Sequence, residues 1–364
     1  MTKKKKKIDL SITNEKVFNG LKMLISILIA LVLTFIILLI LSDDPVNAFI
    51  TILTGPLTKH RYIGIVLEKT VPYAFAGLAC GILFKSGHFN LGAEGIFNIA
   101  GVVVSAVACN QLVSSNIVHP IIAFIGAGIC GGLLMMIPAI LQAKFNTNEM
   151  VLSLMLNSMY SAIAAYLVRT FLLTTTTSTL GTRDFLASAK IGYIIDEFHI
   201  SGCFILLIVV TIILHIMLKK TKLGYQIRLS GSNPKFADYS GINSFKVALS
   251  TAAIAGVLAG FGSASQLLTQ ASFFLPSQSL VGIGFTGCLL AMLGQNNPIG
   301  IVVATFFIQY LEQGTRVLYF TDSSVPAEIV VIVEGVIVLL ISSQHFLRKL
   351  RNKRLLEEGL KEHE

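Results

Sequence analysis

The chain has 364 residues, 54% of them hydrophobic and 13% charged, with 28 Lys and Arg against 19 Asp and Glu and a formal net charge of +9. So few charges cannot cover the surface of a soluble protein, which excludes a set of soluble domains and makes lipid the solvent for most of the chain. The basic balance does not point to nucleic acid, because the Lys and Arg cluster beside apolar stretches, where the positive-inside rule and anionic lipid account for them.

Residues 1–22 form a basic tail that opens MTKKKKKIDL. The charge-free stretch Met23–Ser42 reaches the ~20 residues of a full span and is too long for a signal-peptide core, so it is expected to be an uncleaved first helix. Further spans are expected near 63–84, 92–114, 119–142, 150–172, 202–218, 247–270, 280–294, 298–318 and 326–343. The fold class is therefore all-α integral membrane, with about ten transmembrane helices filling 23–343 and a second basic tail at 344–364. Three of the boundaries rest on turn residues. Gly95–Ala143 carries no Asp, Glu, Lys or Arg and breaks at Ser114–Pro120; Val247–Leu311 is also uncharged and breaks at Pro276 and at Asn296-Asn297-Pro298.

Orientation follows from the basic residues. Those of the N-terminal tail, Lys85, Lys144, the segment 219–246 and the C-terminal tail all fall on one side if both termini are cytoplasmic. On that reading 43–62 lies outside and is a partly apolar re-entrant or interfacial segment. Residues 173–201, with the Thr-rich start TTTTST, form the longest outer loop, and 219–246 the longest inner one.

Cys80, Cys109, Cys130, Cys203 and Cys288 all sit in apolar stretches without a CxxC pair, so they are expected as buried small hydrophobes rather than disulfides or metal ligands. No phosphate loop, zinc-protease motif or hydrolase elbow is present. No cofactor is implied, and ATP hydrolysis would have to come from another chain. His88 and His119 read as interfacial polar residues.

Two interruptions of the apolar pattern stand out. The segment 81–101, GILFKSGHFNLGAEGIFNIAG, carries Lys85, Asn90 and Glu94 among glycines. Asn90 is placed to cap the helix that follows and Glu94 to meet its dipole, while the same segment suits a broken helix lining a translocation path; both readings stand. A second Gly-broken segment at 280–300 predicts two pseudo-repeated halves around a central site, with close helix packing at glycine as the competing reading. The inner loop KKTKLGYQIRLSGSNPKFADYSGINSFK is either a solvated basic loop or a short helix that docks in a cytosolic partner. Ionisable residues within spans are few, namely Glu68, Lys69, Glu312, Arg316 and Glu334, and Glu312–Arg316 has the spacing of a helical ion pair.

These residues resemble the permease subunits of ATP-binding-cassette importers, in the superfamily of ribose and branched-chain amino acid permeases, nucleoside (simple-sugar) branch. The resemblance runs over roughly 45–343. It is carried by Phe84, Gly87, Phe89, Asn90, Gly92, Ala93, Glu94 and Gly95, then by Asn148, Glu149, Met155, Leu156 and Asn157 in NEMVLSLMLN. In the inner loop it is carried by Gly224, Arg228, Gly231, Asn233, Pro234, Ala237, Gly241 and Ile242, and it ends in GIGFTGCLLAMLGQNNPIG. Ile96, Leu229, Phe236, Thr286 and Cys288 depart from the family pattern.

The resemblance implies half of a translocation pore for nucleosides. A second homologous permease, a cytosolic ATPase and an extracellular substrate-binding lipoprotein are the implied partners. Gly224, Arg228, Gly231, Asn233, Pro234, Ala237 and Gly241 would form the ATPase-coupling element. Phe89, Asn90, Glu94, Asn157 and Phe285 are the expected pathway contacts, with aromatic faces stacking on a base and amides meeting ribose hydroxyls. The same architecture serving a simple sugar, and a stand-alone ion-coupled carrier or channel, are the alternatives; a membrane enzyme would need an acid, base or nucleophile set that the sequence does not display.

Overall fold

The computed structural model describes residues 44–321, apart from 112, 114, 146, 174–180, 196–199 and 277–281, together with a few helical positions between 31 and 39. Both basic tails, the last span expected at 326–343, most of the first at 23–42, Glu334 and the TTTTST run lie outside the described residues. The chain divides into two compact units, Lys59–Tyr310 and the flanking chain Met1–Thr58 with Leu311–Glu364.

In the flanking unit, helix α1 (Pro45–Thr54) opens with the Asp44 carboxylate accepting from Asn47 N at 3.3 Å and Pro45 in the first turn, a standard helix start. A 3-10 turn, Gly55–Leu57, follows. At ten residues, α1 is about 15 Å long and too short to cross a bilayer. Gly314 lies against this helix, and a Cβ there would collide with Ile52 O. Glu312 and Arg316 form the expected i, i+4 ion pair at 2.8 Å.

The unit 59–310 is helical apart from a short antiparallel ribbon, β1 (Tyr193–Ile195) with β2 (Ile200–Ser201), which the all-α expectation did not include. Its helices are α2 (His60–Lys85), α3 (Ala93–Ala108), α4 (Val118–Phe145), α5 (Glu149–Leu167, continued by a π turn Val168–Leu172), α6 (Gly202–Lys220), α7 (Lys222–Ser232), α8 (Pro234–Tyr239), α9 (Ser244–Gln270) and α10 (Ile283–Leu293). Helix α11 (Pro298–Thr321) begins in this unit. Among the described residues, five helices, α2, α4, α5 with its π turn, α6 and α9, are long and apolar enough to span a membrane. The pair α10–α11, bent by 119°, makes a sixth if counted as one span.

The expectation of ten spans needs correcting at two places. Helix α3 has 16 residues and α10 has 11, about 24 and 16 Å against a ~30 Å hydrocarbon core. Hydropathy counted each as a span because the apolar run continues through irregular backbone beside it. A left-handed glycine precedes each short helix: Gly87 follows α2 ahead of α3, and Gly282 is the N-cap of α10; both have φ 85°.

Helix α3 is the centre of the unit, packed against α4, α5 and α9. The α4–α9 crossing is built on small residues. A Cβ at Gly256 would collide with Gly131 O, and one at Gly260 with Ala127 O. Without a hydrophobic driving force between helices in lipid, this close backbone approach supplies the dispersion contact. The segment 182–191 is part of the core rather than a free tether. Leu186 N donates to Ala108 O at 3.0 Å and Ile191 N to Leu268 O at 3.0 Å, and Phe185 and Ala189 are buried. His119 is 0% exposed, with its ring nitrogens 2.9 Å from Ser188 Oγ and 3.0 Å from Val107 O; it ties this loop down.

Candidate functional site

Buried backbone outside helices and strands needs hydrogen-bond partners from elsewhere in its own protein. For the first break, helix α5 supplies them. Glu149, Ser153, Asn157 and Ser161 recur every four residues and so share one face. The Glu149 carboxylate takes the His88 ring at 2.8 Å and the Asn90 amide at 3.1 Å. Ser153 Oγ accepts from Leu91 N at 3.0 Å. The Asn157 side chain accepts from Gly95 N at 2.9 Å and donates to Leu91 O at 2.8 Å, and Ser161 Oγ accepts from Asn98 at 2.9 Å. The hydrogen bond to Glu149 holds the His88 pKa above its ordinary 6.5, against burial that pushes it down.

Asn90 and Asn157 are 0% and 2% exposed and hold backbone in place. Asn90 Oδ1 accepts from Gly92 N at 2.7 Å, satisfying a donor ahead of α3 rather than capping it; Gly92 is the cap residue. Phe89 is 46% exposed and stacks on Phe84 with ring centroids 4.8 Å apart. Phe285, on α10, is 57% exposed. Ser153 and Ser161 had no role in the sequence reading, and Glu149 entered it only through the family resemblance. Their signal is the four-residue polar spacing in an otherwise apolar run.

Glu94 joins the two interrupted segments. It lies in the first turn of α3, yet its carboxylate is spent on the start of α10: Oε1 accepts from Gly282 N at 2.7 Å and Oε2 from Gly284 N at 2.5 Å. A carboxylate at a helix N-terminus meets both the orphan N–H groups and the positive end of the dipole. Gly284 is required by the approach, because a Cβ there would collide with Glu94 N. Behind this contact, Cys80 and Cys288 bring their sulfurs to 2.9 Å of each other.

Glu94 also borders a cavity of about 360 Å³ inside the unit. Helix α9 gives it Ser263, Gln266 and Gln270, spaced along one face, and α3 gives it Phe97 and Asn98. Phe273 and Phe274 close it from the segment after α9.

The inner loop is a helix–turn–helix rather than a loose strand of chain. Asn233 accepts from Phe236 N at 3.1 Å, with Pro234 in the first turn of α8. Gly241 (φ 76°) ends α8, with Ile242 N donating to Ala237 O at 3.1 Å, the glycine-terminated cap expected of a tight turn. Ala237 is fully buried, and Arg228 Nε donates to Gly224 O at 3.3 Å within α7. Gly224 and Gly231 are contact glycines. A Cβ at Gly224 would collide with Met217 O, and one at Gly231 with Lys85 O, next to Gly87. The inner loop therefore rests on the residues that lead into the first break.

A multi-pass helical chain whose broken helices meet at a buried carboxylate beside a polar cavity has the build of a solute-conducting membrane protein. Residues 62–342 match the family described as branched-chain amino acid transport system / permease component, and the chain belongs to it. It is a permease component of an ATP-binding-cassette transporter. It is 26% identical over 332 residues to the guanosine ABC transporter permease protein NupP of Bacillus subtilis, covering 91% of this chain and 95% of that one. It is 27% identical over 339 residues to the nucleoside ABC transporter permease protein NupB of Lactococcus lactis, with 90% and 92% covered. The glucose ABC transporter permease protein TsgB13 of Haloferax volcanii is 26% identical over 343 residues, with 90% and 88% covered.

Proposed function

We propose that this permease forms half of the pathway of an ATP-driven importer for nucleosides. The observation that carries the reading is the guanosine and nucleoside permeases among its relatives, each aligned over nine-tenths of the chain. The aromatic and amide lining of the cavity agrees with it. A simple sugar is the second reading, favoured by the glucose permease.

On this reading a second homologous permease completes the pore, an extracellular lipoprotein delivers solute, and both termini are cytoplasmic. The face of α5 that carries exposed Tyr166 and Arg169 suits a protein neighbour better than lipid. The helices α7 and α8 enter a groove of the cytosolic ATPase, with Tyr225, Phe236 and Tyr239 exposed for that contact. Their motion reaches the pathway through Gly231 and the Lys85–Gly87 turn. Phe89 and Phe285 are pathway contacts, Glu94 fixes the gate formed by α10, and Asn90 and Asn157 position the backbone between them.

The test is uptake into proteoliposomes holding the whole importer. The expected result is ATP-dependent guanosine uptake that excess inosine suppresses and glucose does not. Suppression by glucose alone would transfer the reading to sugars, and uptake by this chain without the ATPase would remove it.

A further inference from the structure

We infer that this chain holds a solute site of its own, the cavity between α3, α9 and the start of α10, and that it takes one uncharged nucleoside. The inference rests on the importer reading above and adds the place and chemistry of binding.

Its size is the first argument. About 360 Å³ is near the lower end of small-molecule sites, ~300–1,000 Å³, which suits one nucleoside and no oligomer. Its charge is the second. Among the described residues the lining has no Lys, Arg or His, and Glu94 is the ionisable group in it. A phosphate would border the Glu94 carboxylate, whose two N–H partners are already taken, and would find no Lys, Arg or His among the described lining residues, so nucleotides are refused.

Hydrogen-bonding supply is the third argument. Both Glu94 oxygens already accept from Gly282 N and Gly284 N. Ser263 Oγ donates to Phe97 O at 2.8 Å. Among the described residues the Gln266 amide makes no hydrogen bond, and Asn98, 4% exposed, uses its Nδ2 on Ser161 and leaves Oδ1 without a partner. Gln270 uses its Nε2 on Glu68 O at 3.1 Å. The free polar groups are therefore a few amides, set among Phe97, Phe273 and Phe274. A hexose, like the ribose of a nucleoside, brings hydroxyls for these amides but no flat ring for the three aromatic side chains. A nucleoside offers a flat base for the rings and a short polar edge for the amides.

The test uses Gln266→Cys in the full chain, within the complete importer in nanodiscs, and follows modification of the introduced thiol by a small methanethiosulfonate. Wild type gives the background from the native cysteines. Guanosine is expected to slow the reaction at least tenfold, while glucose and guanosine monophosphate leave it unchanged. Gln266→Leu is expected to raise the KM for guanosine uptake at least tenfold. Guanosine uptake by a variant whose thiol guanosine never protects would overturn the site and leave the nucleoside importer standing. Protection by glucose, with glucose taken up and guanosine not, would overturn the nucleoside reading itself. A thiol inert to reagent with and without solute would mean that the cavity is closed to solute, and would overturn the site as well.

Discussion

The Glu94 carboxylate accepts the backbone N–H of Gly284 at 2.5 Å, across 190 positions of sequence. With the bond to Gly282 N at 2.7 Å, one side chain of the first broken segment forms the cap of the helix that starts the second. Among the described residues, this carboxylate is the polar rivet between the two interruptions.

Replacing Glu94 tests its strength. Gln keeps one acceptor oxygen but turns an NH₂ toward a donor, so one of the two N–H groups of the α10 start loses its partner. A charge-assisted hydrogen bond at a buried site is worth about 2 kcal/mol. Glu94→Gln is therefore expected to lower thermal stability in detergent and cut uptake severalfold. Glu94→Asp keeps the charge but withdraws it by one methylene, and should fail to restore uptake if reach matters as much as charge.

His88 and Glu149 make stability depend on pH. His88 lies between α2 and α3, 2.8 Å from Glu149, and its pKa is raised chiefly by that bond, with Gln142 adding to it. A group with a raised folded pKa stabilises fully below its unfolded value, about 6.5. That contribution disappears as pH rises through the higher folded value. The melting temperature of the purified importer should accordingly fall as the pH is raised above about 6.5, and His88→Gln should flatten that part of the profile.

Much of this architecture is legible in the sequence, and the reason is physical. Apolar runs with few charges locate helices such as α2, α5 and α9 within a few residues, because charge is costly in lipid wherever it falls. Glycines mark the breaks at Gly87 and Gly282 because few other residues tolerate a φ of 85°. What stays hidden is which polar groups meet. Nothing local in NLGAEG tells that Glu94 reaches past its own helix to cap another, or that Asn157 holds Gly95 N rather than facing a solute. Helix length is equally obscured, since α3 and α10 occupy only part of the apolar runs that contain them.

Two glycines of the inner loop should separate when changed. Gly231 has no room for a side chain, because a Cβ would strike Lys85 O. Gly231→Ala is expected to lift α7 from the Lys85–Gly87 turn, leaving insertion intact while the ATP hydrolysed per solute moved rises severalfold. At Gly241 a methyl group would meet nothing within 4 Å, but the backbone φ there is 76°. Gly241→Ala should cost about 1 kcal/mol of stability and change coupling little. Equal uncoupling by both would mean that turn shape, not the contact with α2, transmits the stroke.

The α4–α9 crossing offers the sharpest test of packing. Gly256 and Gly131 face each other so closely that a Cβ on either would collide with the backbone oxygen of the other. Backbone cannot step aside as a flexible side chain can, so the helices must separate, and α3 and the α9 wall of the cavity would move with them. Gly256→Leu is expected to cost about 3 kcal/mol or more and to be recovered mainly as aggregated protein by size-exclusion chromatography. Gly192, with open space around it, is the control: Gly192→Ala should elute and transport as wild type. A monodisperse Gly256→Leu variant with normal uptake would show that the crossing does not hold the unit together.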